Sequence, residues 1–189
     1  MKTAGVFLAI TAALVLQTTL ADFGVRGTGA IDLVLVVVVY VALASGPVAG
    51  LLAGALGGLA QDCLSATGVA AVSATGAITL TRAIIGVGGL AKTMVGFGVG
   101  VLGTQFIVAG LVPRLFVFFA ATVAHAAIFL SLSVILDLRL DSVPYGVLMT
   151  QAIGNAIIGG VAFQVIEGLP GFVERRRAMR GRMRVGRRL

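Results

Sequence analysis

Two residue types that carry much of protein chemistry are nearly absent from this chain. Cys63 is the only cysteine, so the chain cannot close an internal disulfide or build a metal site from cysteines. His125 is the only histidine, which excludes zinc-type clusters and a catalytic triad supported by a second histidine. No nucleophile has a base in evident reach, and we predict neither an enzymatic activity nor a cofactor.

Charged residues are also scarce, at 11% of the 189 residues, whereas 59% are hydrophobic. A soluble domain has about 25% charged and roughly 45–50% apolar residues, so the excess is too large for one water-soluble core. A membrane-spanning helix needs about 20 apolar residues to cross a hydrocarbon layer about 30 Å thick. Composition and length therefore predict an all-α integral membrane protein with about six transmembrane helices.

The positive charge is concentrated at the C-terminus. Eight of the 14 basic residues are arginines within 175–189, and the rest of the chain carries six basic and seven acidic groups, a net charge of −1. The basicity belongs to a tail and not to a nucleic-acid-binding face. We predict a transmembrane domain over 1–171 and an arginine-rich tail, 172–189, that contacts anionic lipid. The positive-inside bias places the tail, and with six crossings also the N-terminus, in the cytoplasm.

Charges, glycines and prolines divide the apolar sequence into helices. Gly46 and Pro47 separate two of them, because a helix commonly ends at glycine and proline is favoured in the first turn of the next helix. A tandem repeat of eight residues within 65–87 predicts a re-entrant or interfacial hairpin. Gly168 and Pro170 are expected to break the last helix, leaving the tail disordered or as an amphipathic arm. The predicted helices cover 4–21, 28–45, 47–64, 88–108, 114–136 and 144–167.

Glycines recur at four-residue spacing in the third and fourth predicted helices. This spacing places them on one helix face, where another helix can approach to backbone contact. The face serves either packing within the bundle or the docking of a partner's helix. The candidate partner-binding residues are Gly46, Gly50, Gly54, Gly58, Asp62, Lys92, Gly96 and Gly100.

Several polar residues lie inside the predicted spans, where an ionisable group needs a partner or a polar cavity. Lys92 is the predicted partner of Asp62, and the alternative places Asp62 at the level of the lipid headgroups. Gln151, Asn155 and Gly159 recur at four-residue spacing and are predicted to join the last helix to a neighbour, with a substrate pocket as the alternative. His125 lies among alanines and phenylalanines, which favours a hydrogen-bonded packing residue over a proton relay.

The segment 31–65 resembles the signature region of the bacterial rod shape-determining MreD family. In that family an aspartate opens an apolar run that ends in tyrosine and small residues, Gly-Pro starts the next helix, and glycines lead to Gly-Leu, Gln-Asp and serine. Segments 88–103 and 151–160 are similar to later parts of the family pattern. Ile31 departs from it, because the family usually has proline there, and 65–87 is longer than usual. The matching residues are Asp32, Tyr40, Gly46, Pro47, Gly50, Gly54, Gly58, Leu59, Gln61, Asp62 and Ser65.

The resemblance implies a non-enzymatic scaffold subunit of the machinery that builds side-wall peptidoglycan at the bacterial inner membrane. Its expected partners are MreC, through MreC the synthase RodA and its penicillin-binding partner, and MreB on the cytoplasmic side. MreD proteins are also similar in fold to substrate-binding subunits of energy-coupling-factor vitamin transporters, so a transporter subunit is the alternative. The lack of tryptophan and the presence of only two tyrosines weigh against the ligand pocket of such a subunit.

Overall fold

In the computed structural model, the described part of the chain is built from six helices, with one pair of two-residue strands, which confirms the predicted all-α architecture. The helices are α1 (Thr3–Asp22), α2 (Leu33–Ser45), α3 (Pro47–Ala66), α4 (Val87–Gln105), α5 (Leu111–Ile135) and α6 (Tyr145–Val185). The backbone is described for residues 3–22, 31–66, 71–72, 78–79, 85–106, 110–136 and 145–185. Side chains are described for residues 5–19, 31–64, 85–106, 110–136 and 145–166.

Four helices are long and apolar enough to cross a membrane. Their apolar stretches are Pro47–Leu64, Val87–Gln105, Leu111–Ile135 and Tyr145–Ile166, and α1 and α2 contribute shorter ones, Gly5–Thr19 and Leu33–Ser45. At about 1.5 Å per residue, the 13 residues of α2 measure only about 20 Å, against about 30 Å of hydrocarbon. These helices are the ones expected of a membrane protein. Residues 31 and 32 lie before α2, so this helix begins at Leu33, later than the predicted range of 28–45.

α2 is the central helix and contacts each of the other five. Its buried residues point in all directions, as expected for an apolar helix surrounded by others. Val34 and Val38 pack towards Ile10 of α1, whereas Leu35 and Val39 belong to a second cluster that includes Phe118 of α5. The two clusters bury the seven residues Val34, Leu35, Val36, Val38, Val39, Val41 and Ala42.

The chain reverses direction between α2 and α3, as the sequence predicted. Gly46 has a φ of 89°, in the region that favours glycine, and donates its N–H to the carbonyl of Ala42 at 2.9 Å. Pro47 then starts α3, where its missing N–H costs nothing. The tight turn makes α2 and α3 a helical hairpin.

The long sixth helix is the main difference from the sequence-based boundaries. The predicted break at Gly168 and Pro170 is wrong, since α6 continues to Val185. A proline inside a helix costs about 3 kcal/mol, but the alanine, methionine and arginine residues that follow are strong helix formers. In the 65–87 segment, Ala71–Val72 and Ile78–Thr79 pair as antiparallel strands, which agrees with a hairpin. Most of that segment lies outside the described residues.

Candidate functional site

A buried ion pair lies inside the helical bundle, at the N-terminal end of α2. Lys92 Nζ of α4 is 2.7 Å from Asp32 Oδ2, and both side chains are about 5% exposed or less. Two charges withdrawn from water in this way cost free energy unless they are paired and further hydrogen-bonded. The pair therefore joins α4 to the start of α2.

Asp32 makes three further connections that hold it in place. Its Oδ1 accepts the N–H of Leu35 at 2.9 Å, so the side chain caps the N-terminus of α2. Its own N–H donates to Oδ1 of Asn155 on α6 at 3.0 Å. The side chain also lies at the N-terminal, positive end of the α2 helix dipole. A short central helix thus begins at a fixed anionic group inside the protein.

The network continues from Lys92 and Asn155 onto α5. Lys92 Nζ is 3.4 Å from Nε2 of His125, and the Asn155 amide donates to the hydroxyl of Thr122 at 3.2 Å. The His125 ring stacks near Phe129 at a centroid distance of 6.4 Å. The interpretation of His125 as a hydrogen-bonded packing residue, and of Asn155 as a helix-joining residue, agrees with this geometry. Four helices, α2, α4, α5 and α6, meet in this polar network.

The predicted pairing of Lys92 with Asp62 is wrong. Asp62 Oδ2 accepts the N–H groups of Gly86 and Gly89, each at 2.9 Å, and so caps the start of α4. Those N–H groups have no partner within the helix, and their dipoles favour a carboxylate. The ammonium of Lys92 reaches Asp32 instead, because Lys92 packs beside Gly54, two turns along α3 from Asp62.

The glycine face of α3 is filled by α4. A Cβ added at Gly54 would lie 2.5 Å from the carbonyl oxygen of Lys92, and one added at Gly58 would lie 2.5 Å from Cα of Gly89. As residue numbers rise along α3 they fall along α4, so the two helices are antiparallel. The contacts are between backbones, which is the packing that small residues permit.

The same contact continues towards the α2–α3 turn. A Cβ at Gly50 would overlap the backbone of Gly96, and one at Gly100 would overlap Pro47. Among the candidate glycines, only Gly46 has open space around the position of an added Cβ. The stripe therefore serves packing within the chain. A partner's helix could enter the stripe only if α4 left it, and the binding of a partner stays a prediction.

A second polar arrangement lies between α5 and α6. The guanidinium of Arg114 is 4.3 Å from the centre of the Phe163 ring and donates to Oε1 of Gln164 at 3.0 Å. Phe163 in turn contacts Tyr40 of α2 edge-on, with ring centroids 5.0 Å apart. A cation over an aromatic face is favourable, and more so away from water. Arg114 thus helps to hold α5 and α6 together.

Sequence reasoning missed the role of Asp32 and the contribution of Thr122. An aspartate directly before an apolar run is a recognised signal for a helix N-cap, so the capping role was readable. The hydroxyl of Thr122 had no such signal, because a threonine in a helix usually bonds its own backbone, as Thr122 also does with the carbonyl of Phe118 at 2.9 Å.

Comparison with known proteins identifies no relative. No protein-family model matches the chain, and neither a curated protein nor a solved structure matches it.

Proposed function

We propose that the chain is a non-enzymatic scaffold subunit of the bacterial machinery that builds side-wall peptidoglycan, and that it binds MreC in the inner membrane. The proposal starts from the MreD-like pattern over residues 31–65. That pattern coincides with the hairpin of α2 and α3, from the capping Asp32 to the capping Asp62. The residues that carry the resemblance are thus the ones that shape this hairpin.

One observation carries the preference for a scaffold: the polar groups inside the bundle bond to one another. Asp32 is bound to Lys92 and Asn155, and Asn155 to Thr122. Interhelical bonds of this kind fix how helices pack in lipid, where hydrophobic exclusion contributes nothing between helices. A rigid, internally bonded bundle suits a protein whose task is to hold partners in place.

The outward faces of the helices suit a lipid environment. Leu52 and Leu56 on α3 and Met94 and Phe97 on α4 are exposed although they are large and apolar. Water would oppose such a surface, whereas lipid tails accept it. These features support residence in the bacterial inner membrane, and we propose six crossings with both termini in the cytoplasm, the short α1 and α2 included. A fold similar to that of energy-coupling-factor substrate-binding subunits belongs to this proposal.

The arginine-rich tail is proposed to work on the cytoplasmic side. Eight arginines within 175–189 would attract anionic lipid, at about 1 kcal/mol for each well-placed side chain and less at high salt. MreB would lie on the same side of the membrane, whereas RodA and its penicillin-binding partner would be reached through MreC.

Co-purification tests the scaffold against a transporter subunit. The affinity-tagged full chain is expressed in bacteria, extracted in mild detergent and assayed for bound MreC and for paired ATPases. A version truncated after Glu174 is the matched variant, since it removes the arginines and keeps all described side chains. We expect both versions to retain MreC. Recovery of paired ATPases would favour the transporter subunit, and recovery of neither partner would contradict the scaffold.

A further inference from the structure

The helices packed around α2 leave a gap between α1 and α6. Around α2, α1 contacts α3, α3 contacts α4, α4 contacts α5 and α5 contacts α6, and each of them contacts α2. Within the described residues, α1 and α6 do not contact each other. A central helix has room for about six neighbours of its own diameter, and α2 has one fewer. The α1–α6 gap is therefore about one helix wide.

The floor of the α1–α6 gap is an apolar stripe on α2. Before the last turn of α2, only Leu33, Val37 and Tyr40 are less than fully buried. Their spacing of four and three residues places them on one face of the helix. Tyr40 contacts Phe163 of α6 edge-on, whereas Leu33 and Val37 pack at the rim of the cluster around Ile10 of α1. The stripe thus runs between α6 on one side and α1 on the other, as the seam for one more helix would.

One wall of the gap is the side of α6 turned away from α5. Gly160 marks the side packed on α5, because an added Cβ there would overlap the side chain of Leu115. On the opposite side of α6, Gln151, Ile158 and Ala162 recur after seven and four residues and are half-buried. The α6 wall therefore repeats the half-buried pattern of the α2 floor.

Gln151 adds a polar group to this apolar gap. In the described part of the chain its amide has no hydrogen-bond partner, whereas Asn155, one turn further on, is bonded to Asp32 and Thr122. An amide inside a membrane span is stabilised by a side chain of a neighbouring helix. Lipid tails carry neither donor nor acceptor, so a lipid molecule in the gap would leave Gln151 unpaired. The amide therefore favours a helix over lipid as the occupant.

The charge of the chain favours a different protein over a second copy. α6 continues past the gap to Val185, and eight arginines lie within 175–189. A second copy seated in the gap would bring its own arginine-rich segment to the same side of the membrane. Like charges repel when they come within a Debye length, about 8 Å at physiological salt. A complementary occupant has an acidic or uncharged flank at this end.

We propose that the α1–α6 gap binds one transmembrane helix of a different protein, which places a polar side chain opposite Gln151 and an acidic or uncharged flank beside the arginines. The identity of that protein, MreC, rests on the proposed function. The place of binding rests on the packing of α1, α2 and α6 alone. This surface is distinct from the glycine face of α3, which α4 covers.

The single cysteine of the chain allows a direct test by disulfide cross-linking. Cys63→Ser gives a full chain without cysteine. One cysteine then replaces Val37 in the gap or, as a matched control, Leu56, which is exposed on α3 at a similar distance along the chain from the turn at Gly46. Each variant is co-expressed with MreC that carries one cysteine at successive positions of its membrane span. We expect Val37→Cys to link to MreC at positions three or four residues apart, and Leu56→Cys to link to none.

Replacement of the Gln151 amide supplies a second measurement, with Asn155→Leu as its control. In the isolated chain Gln151→Leu should leave the Tm unchanged because no bond is lost, whereas Asn155→Leu removes two bonds and should lower it. In co-purification Gln151→Leu should reduce the retained MreC about three- to tenfold, the effect of one interhelical hydrogen bond.

Three results would overturn the gap as the binding site. MreC could co-purify and yet link to Leu56→Cys, or to neither cysteine. Val37→Cys could link two copies of the chain, which would make a second copy the occupant. Gln151→Leu could lower the Tm of the isolated chain as much as Asn155→Leu does, which would assign the amide to packing within the chain. Absence of MreC from the wild-type preparation would instead contradict the scaffold, and the Tm comparison, which needs no partner, separates the two failures.

Discussion

Substitution of Gly54 by alanine tests the packing of α3 on α4 most sharply. The added Cβ would lie 2.5 Å from the carbonyl oxygen and 2.7 Å from the carbonyl carbon of Lys92, and 2.8 Å from Cα of Thr93. All three are backbone atoms, so no side chain can rotate away and the helices must separate. Overpacking costs about 1–3 kcal/mol, and backbone contact argues for the upper end.

The matched control is Gly98→Ala on α4, where a Cβ would have no neighbour within 4 Å. Both substitutions gain about 0.5–1 kcal/mol from replacing glycine inside a helix. Gly98→Ala should therefore be neutral or slightly stabilising, whereas Gly54→Ala should lose about 2 kcal/mol after this gain is subtracted. The two variants should differ by about 3 kcal/mol, or about 6–12 °C in Tm.

Circular dichroism of the purified chain in detergent measures both Tm values without needing a tryptophan, which the chain lacks. Gly54→Leu is the stronger form of the same change and should prevent folding. Equal Tm values for Gly54→Ala and Gly98→Ala would refute the backbone contact. If Gly54→Leu folds and only its binding of a partner is lost, the glycine face is a docking surface after all.

Four further outcomes follow from the site and the tail. Lys92→Met should cost about 3–5 kcal/mol, because it leaves the carboxylate of Asp32 buried without its partner, and adding Asp32→Asn should recover part of the lost Tm. Asp62→Ala should cost about 0.5–2 kcal/mol through loss of a helix cap, and Asp62→Asn less, since one acceptor remains; urea unfolding of the two compares them. Truncation after Glu174 should leave the Tm of the bundle unchanged, and a lower value would make the tail structural. A reporter fused after Leu189 should lie in the cytoplasm, and a periplasmic signal would contradict the proposed orientation.

Local sequence features predicted the helices and their turns well. The uncharged run before Asp22 predicted α1, and Gly46 with Pro47 predicted the α2–α3 hairpin, because backbone conformation at glycine and proline depends on the residue itself. The end of α6 could not be read in the same way. A proline predicts a break, yet α6 runs through Pro170 and ends at Val185.

Partner choice inside the bundle was decided only by tertiary structure. The sequence by itself determined that Lys92 needs an acidic partner and that the glycine stripe needs another helix packed against it. Lipid neither neutralises a buried charge nor packs closely against an exposed helix backbone. It offered Asp62 as the acid, and packing or docking as uses of the stripe. The choice depends on the rotation and depth of each helix: Asp62 is taken by the N–H groups at the start of α4, and the ammonium of Lys92 pairs with Asp32.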